Sequence, residues 1–293
     1  MIKSLVTLCI FVVHIAASGA AHGASAHFGK VSLAYDIFIG GILAASVDIL
    51  FRDDAAGYSI KSTARSHGFL DFLISYQGEN AVTGTYQDGL AQPAEYSARS
   101  TWAGEIRTVA IQYNGAGGLR YQAQPRAEDD QREVVPEDLL PGTIDPLSAL
   151  FNAVAWMSRS SRCDRRLAVF DGRRRYDFIL REIEGGETAG PFFTGAARIC
   201  RARREVLAGA SLRRWLPQFA RPEWTDIWIA TVRPGLPPLP VRFQADLGIA
   251  DMVAHLVAIG GRKHPPGEGL GEAPGGTERE AGTSNTTDQN NGR

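Results

Sequence analysis

The alternation that begins at Val31 constrains this chain more than any other feature. Leu33, Tyr35, Ile37 and Ile39 fall on one side of a period-two pattern, with Ser32, Ala34 and Asp36 on the other. Gly40-Gly41 interrupts the pattern, and Leu43, Ala45, Val47, Ile49 and Phe51 resume it. Successive side chains on a strand point to opposite faces, and a Gly-Gly pair supplies the positive φ angles of a tight hairpin turn. The pattern predicts an antiparallel hairpin, a turn over residues 53–57 and a third strand over 58–65. Further strands are predicted over 81–86, 94–103, 106–113 and 119–124, separated by Gly- and Asn-bearing breaks. Residues 68–75 fit either a helical turn or an apolar strand. Residues 127–141, charged and bounded by proline, fit a surface loop.

One helix stands out. Asp145 suits the N-cap, Pro146 the first helical position, and Leu147, Leu150, Phe151, Val154 and Ala155 form a single apolar stripe, so a helix is predicted to run to about Met157. Packing into the core is the expectation for such a stripe, and lining a ligand cavity is the alternative. A second β region follows. Residues 167–170 lead into an Asp171-Gly172 turn, and Tyr176, Phe178 and Leu180 alternate beyond it. Strands are also predicted over 197–206, 224–232 and 241–246, with 249–258 either strand or helix. The proline-rich stretch 234–240 limits pairing to its flanks. The sum is an all-β, mainly antiparallel domain over residues 27–260, a curved sheet or open barrel with one or two short helices.

The ends of the chain read differently. Lys3, the apolar run from Leu5 to Ala17 and the small-residue site Ala24-Ser25-Ala26 predict a signal peptide over residues 1–26 and a periplasmic protein. The run is shorter than the roughly 20 residues that span a bilayer, and an uncleaved anchor is the alternative. Residues 261–293 hold only Leu270, Ala273 and Ala281 as apolar residues and are predicted to be a disordered tail. Between these ends, a hydrophobic fraction of 44% suffices for a sizeable core, and no later stretch is apolar enough to span a membrane. A formal net charge of -1 gives no drive toward nucleic acid.

Cleavage would remove Cys9 and leave Cys163 and Cys200. In an oxidising compartment this pair predicts a structural disulfide, stabilising by about 3–4 kcal/mol in the chain-entropy model. The two lack a C-x-x-C spacing and neighbouring histidines, which makes a zinc site a poor reading. His27, His67, His255 and His264 are scattered, and H-E-x-x-H, phosphate-loop and G-x-S-x-G patterns are missing, so no catalytic residue, metal or cofactor is assigned. Between Arg159 and Arg214 fourteen arginines face seven acidic residues. A Cys163–Cys200 bond would gather them on neighbouring strands. Arg166, Arg173, Arg175, Arg201 and Arg203 are then candidates for binding an anion or an envelope protein. The competing and favoured reading leaves Arg173 and Arg175 on the solvent side of a strand, paired with Asp177 or Glu182.

Several of these segments resemble a family of uncharacterised bacterial periplasmic proteins, domain-of-unknown-function family 3108. The resemblance rests on Tyr35-Asp36-Ile37 with Gly40-Gly41, on Asp145-Pro146-Leu147-Ser148-Ala149-Leu150, on Asp171-Gly172-Arg173-Arg174-Arg175-Tyr176-Asp177, and on Leu239-Pro240-Val241-Arg242-Phe243 ahead of Leu247-Gly248. It extends over roughly residues 31–259. It implies a curved antiparallel sheet or open barrel like that of periplasmic lipid carriers, and it supplies no catalytic residues. The leading functional expectation is a non-enzymatic envelope protein that binds a lipid or other amphipathic ligand. An envelope scaffold acting through the arginine face comes second, and an envelope hydrolase third.

Overall fold

Where the alternation is cleanest, the chain pairs as the pattern requires. The computed structural model describes residues 29–261, apart from Ala55, Ser161 and residues 213–222. β1 (Lys30–Ile39) turns at Gly40-Gly41 into β2 (Ile42–Asp54), both glycines having positive φ. β3 (Gly57–Ser66), β4 (Tyr76–Gln87), β5 (Leu90–Trp102), β6 (Glu105–Tyr113) and β7 (Leu119–Gln124) continue as a meander. The ambiguous segment after β3 is a helix, α1 (Gly68–Ile74).

α2 (Pro146–Arg159) separates this half from the next. Then follow β8 (Arg165–Phe170), β9 (Arg175–Ala189), β10 (Thr194–Ala208), β11 (Thr225–Ala230), β12 (Leu239–Asp246) and β13 (Asp251–Ile259). Pro240, expected in a connection, lies inside β12. It is tolerated where the register with β11 shifts between Trp228 and Ile229, since a bulge there removes the need for its missing N–H. The last piece, open to either reading, is a strand.

All thirteen strands form one sheet in the order β7-β6-β5-β4-β3-β2-β1-β13-β12-β11-β10-β9-β8, antiparallel throughout. β1 and β13 zip the two meanders together. The sheet is open and strongly curved, for α2 packs at once on β4 and β5 near one edge and on β8 at the other. The edges meet through side chains instead of a ladder. Tyr121 of β7 lies edge-on to Phe170 of β8, with ring centroids 4.9 Å apart. From the turn after β8, Arg173 reaches across to donate to the carbonyls of Gln124 and Pro125.

The segment 127–141, expected as a surface loop, is a largely exposed loop that also takes part in this closure. Val135 and Leu140 are buried, and so is Asp130, which is ion-paired to Arg107 at 3.0 Å, Arg132 at 2.6 Å and Arg173 at 3.3 Å. Its charges follow from this arrangement: they hold the loop over the seam. Contacts divide the chain after Gly261. The expected signal peptide lies outside the described residues, as does the expected disordered tail over 261–293 apart from Gly261.

Candidate functional site

The site is built around α2, and it begins with what fastens that helix. Asp145 caps its N-terminus as expected, with Oδ1 accepting from the backbone N–H of Leu147 at 2.9 Å and of Ser148 at 3.0 Å. Ser148 Oγ shares a 2.7 Å hydrogen bond with the hydroxyl of Tyr58 on β3. One turn on, the Asn152 amide replaces a strand partner for β5. Its Oδ1 accepts from Ala91 N–H at 2.6 Å and its Nδ2 donates to Ala91 O at 3.1 Å. At the C-terminal end, Arg198 of β10 donates to Met157 O at 3.2 Å. Cys163, four residues past the helix, is bonded to Cys200 of β10 with 5.9 Å between Cα atoms, as expected. The helix is therefore tied to both halves of the sheet.

These ties decide which face is buried, and it is the unexpected one. Ser148, Ala149, Asn152, Ala153 and Met157 are the residues that pack out of solvent. Small and polar side chains allow the close approach that the Tyr58 and Ala91 contacts need. The apolar stripe of Leu147, Leu150, Phe151, Val154 and Ala155 remains half-buried on the opposite side. Expected to pack into the core, it instead lines a cavity of about 910 Å³ between α2 and the concave sheet. Only Leu147, Phe151 and Val154 also reach core clusters, Phe151 by stacking on Phe51 with ring centroids 5.1 Å apart.

The opposing wall is the alternation that opens the sequence. Val31, Leu33, Tyr35 and Ile37 of β1 and Val47, Ile49 and Phe51 of β2 face the cavity, joined by Phe243 of β12 and by Met252 and Ala254 of β13. Tyr35 contributes its ring alone to the lining, because its hydroxyl donates to Pro240 O at 2.9 Å. Polar groups gather at one end, where Asp53, Tyr86, Asp88, Ser158 and Arg159 line the cavity. Burial first, and then the Asp53 carboxylate, push the Tyr86 phenol above its ordinary range, so it remains an O–H donor beside Asp53. Cavities of this size with a few convergent polar groups are the usual form of small-molecule sites.

The candidate arginines sit elsewhere. β8, β9 and β10 are neighbours, so the clusters are gathered as the disulfide predicts, but each arginine has a partner. Arg166 and Arg175 share Asp177, and Arg166 and Arg203 share Glu205. Arg201 is bidentate on Asp226 at 2.6 and 2.7 Å. Arg173 is committed to the seam instead of to Asp177 or Glu182. Of the histidines, His67 bonds Ser46 Oγ at 2.7 Å. His255 lies edge-on to Phe38, its imidazole pushed below the ordinary value by burial and then by Arg242. No cluster of metal-ligating side chains occurs among the described residues. No described helix is long and apolar enough to cross a membrane. The signal that reading the sequence alone undervalued was the helix's other face: a Ser-x-x-x-Asn pair opposite an apolar stripe says which side is anchored.

Comparison with known proteins fits this description. Residues 34–257 match the family described as "Protein of unknown function (DUF3108)". Among solved structures, the chain resembles a beta-barrel-like protein of domain of unknown function DUF1849 from Brucella abortus. The TM-score is 0.50 at 10% sequence identity, covering 80% of this chain and 98% of that one, which is a likeness of fold alone. No curated protein matches the chain.

Proposed function

The chain belongs to the DUF3108 family of proteins of unknown function, and from that premise we propose that it is an exported, periplasmic, non-enzymatic carrier holding a lipid in the cavity beneath α2. One observation carries the reading: Leu150 and Ala155 of the stripe line the cavity without reaching a core cluster, and Leu147, Phe151 and Val154 stay half-buried along it. Leaving Leu or Phe half-exposed forgoes part of the roughly 1.5–3 kcal/mol that each gains on full burial. An apolar ligand in the cavity recovers that loss. The anchors on the far side of the helix keep the cavity from collapsing, since they fix α2 to β3, β5 and β10 regardless of what fills the space. Export is supported by the leader-like residues 1–26 and by the Cys163–Cys200 bond, which persists in oxidising compartments.

The test is solvent extraction of protein purified from an export-competent host, followed by mass spectrometry. About one lipid per chain is expected, with delipidated protein melting at a lower temperature. Ligand at a hundred times its Kd stabilises by about 2.7 kcal/mol. In a domain of this size that raises Tm by about 5–10 °C. Protein that carries no lipid and gains no stability on lipid addition would refute the reading.

A further inference from the structure

We infer that the ligand is a two-chain phospholipid with a zwitterionic head group, its phosphate on Arg159 and its ammonium on Asp88. This deepens the lipid-carrier reading and rests on it. The observation is how Arg159 is held. It lies in the last turn of α2, exposed at the polar end of the cavity, and its Nη1 donates to the carbonyls of Asp88 at 3.3 Å and Gly89 at 2.9 Å. Gly89 has φ +70, as the turn between β4 and β5 requires, and Nη1 lies where its Cβ would be. Nε and Nη2 make no bond to any described residue. They form the planar edge that grips a phosphate or carboxylate bidentately, on a side chain already immobilised by the carbonyls.

Charge at this end then selects the head group. Asp53, which is buried, and Asp88, which is exposed, place two carboxylates on the lining beside the single Arg159. Asp53 has a partner of its own, so a purely anionic head group would meet Arg159 at the cost of the like charge of exposed Asp88. A phosphate with an ammonium a few bonds away satisfies both signs. Size points to two chains. A methylene is close to the size of a water molecule, about 30 Å³ in the liquid, so about 910 Å³ holds roughly thirty of them.

The experiment measures binding of delipidated full-length protein to phosphatidylethanolamine, phosphatidylglycerol, a free fatty acid and soluble phosphoethanolamine, for the wild type, Arg159→Gln and Asp88→Asn. The wild type is expected to prefer phosphatidylethanolamine over phosphatidylglycerol by about fivefold, the scale of an exposed ion pair. It should ignore phosphoethanolamine, which has no chains. Arg159→Gln should weaken both phospholipids about tenfold, as loss of a charge-assisted bond does. Asp88→Asn removes an exposed carboxylate without touching the helix anchors. It should fold normally and lose only the preference for phosphatidylethanolamine. Equal binding of the two phospholipids by the wild type, or a preference unchanged by Asp88→Asn, would overturn the head-group assignment while leaving lipid carriage intact. Failure to bind any of the chain-bearing lipids would instead bring down the carrier reading itself.

Discussion

Asp145 serves as a helix cap from a fully buried position, which sets its two protonation states against each other. Four hydrogen bonds favour the carboxylate, among them those from the Leu147 and Ser148 N–H donors, but burial outweighs them and raises its pKa. A carboxyl raised in the folded state contributes stability that is fully present below its unfolded value and is lost as pH rises through the folded one. Asparagine caps a helix about as well and does not titrate. Unfolding measured by denaturant at several pH values is therefore expected to show the wild type losing ground relative to Asp145→Asn from about pH 4 upward. Asn152 gives a second prediction at this scale. Asn152→Ala leaves Ala91 N–H and C=O buried without partners and is expected to destabilise by about 2–4 kcal/mol in denaturant melts. The sequence made Asp145 legible because capping is local. Asn152 showed only in the Ser-x-x-x-Asn spacing, because its partner is 61 residues away.

At the scale of the element, α2 was legible in its start, its length and its amphipathicity, and was misjudged in orientation. Periodicity says that one face is apolar and is silent on whether the facing surface is full or hollow. That depends on the sheet: β1, β2, β12 and β13 form the far wall of the cavity, with Phe51 of β2 reaching across to Phe151. Leu150→Trp is the direct consequence: the larger ring intrudes on the cavity and narrows it. It is expected to leave Tm unchanged or slightly raised in the delipidated protein while reducing lipid binding at least tenfold by fluorescent-lipid titration. The disulfide just beyond the helix was legible from the cysteine count and compartment. Its loop of 37 residues is worth about 4 kcal/mol in the chain-entropy model. Replacing both cysteines with serine should lower Tm by roughly 8–15 °C in calorimetry. Cys163 follows the helix so closely that loss of the bond should also loosen its C-terminal end.

Across the whole molecule, the strand succession was legible, though β4 begins at Tyr76 instead of residue 81 and β9 runs on to Ala189, and the closure was not. Hairpins announce themselves through alternation and turn residues within about twenty positions. The seam joins Phe170 to Tyr121 and Arg173 to the carbonyls of residues 124–125, contacts whose members belong to different meanders. Their charges and rings look like ordinary surface in the sequence, so the loop over 127–141 was legible as surface but not as part of the closure. With the edges pinned there, the curvature holds, and with α2 tied to both halves the space between them stays open. That is the physical basis for the proposed carrier: a cavity bounded by α2 and the concave sheet.

The central claim is most directly tested by native mass spectrometry of the wild type and Leu150→Trp, expressed and purified side by side. The wild type is predicted to show a discrete added mass of lipid size that is stripped on activation, and the variant to be folded and bare. An identical adduct on both proteins, or none on either, would contradict the account.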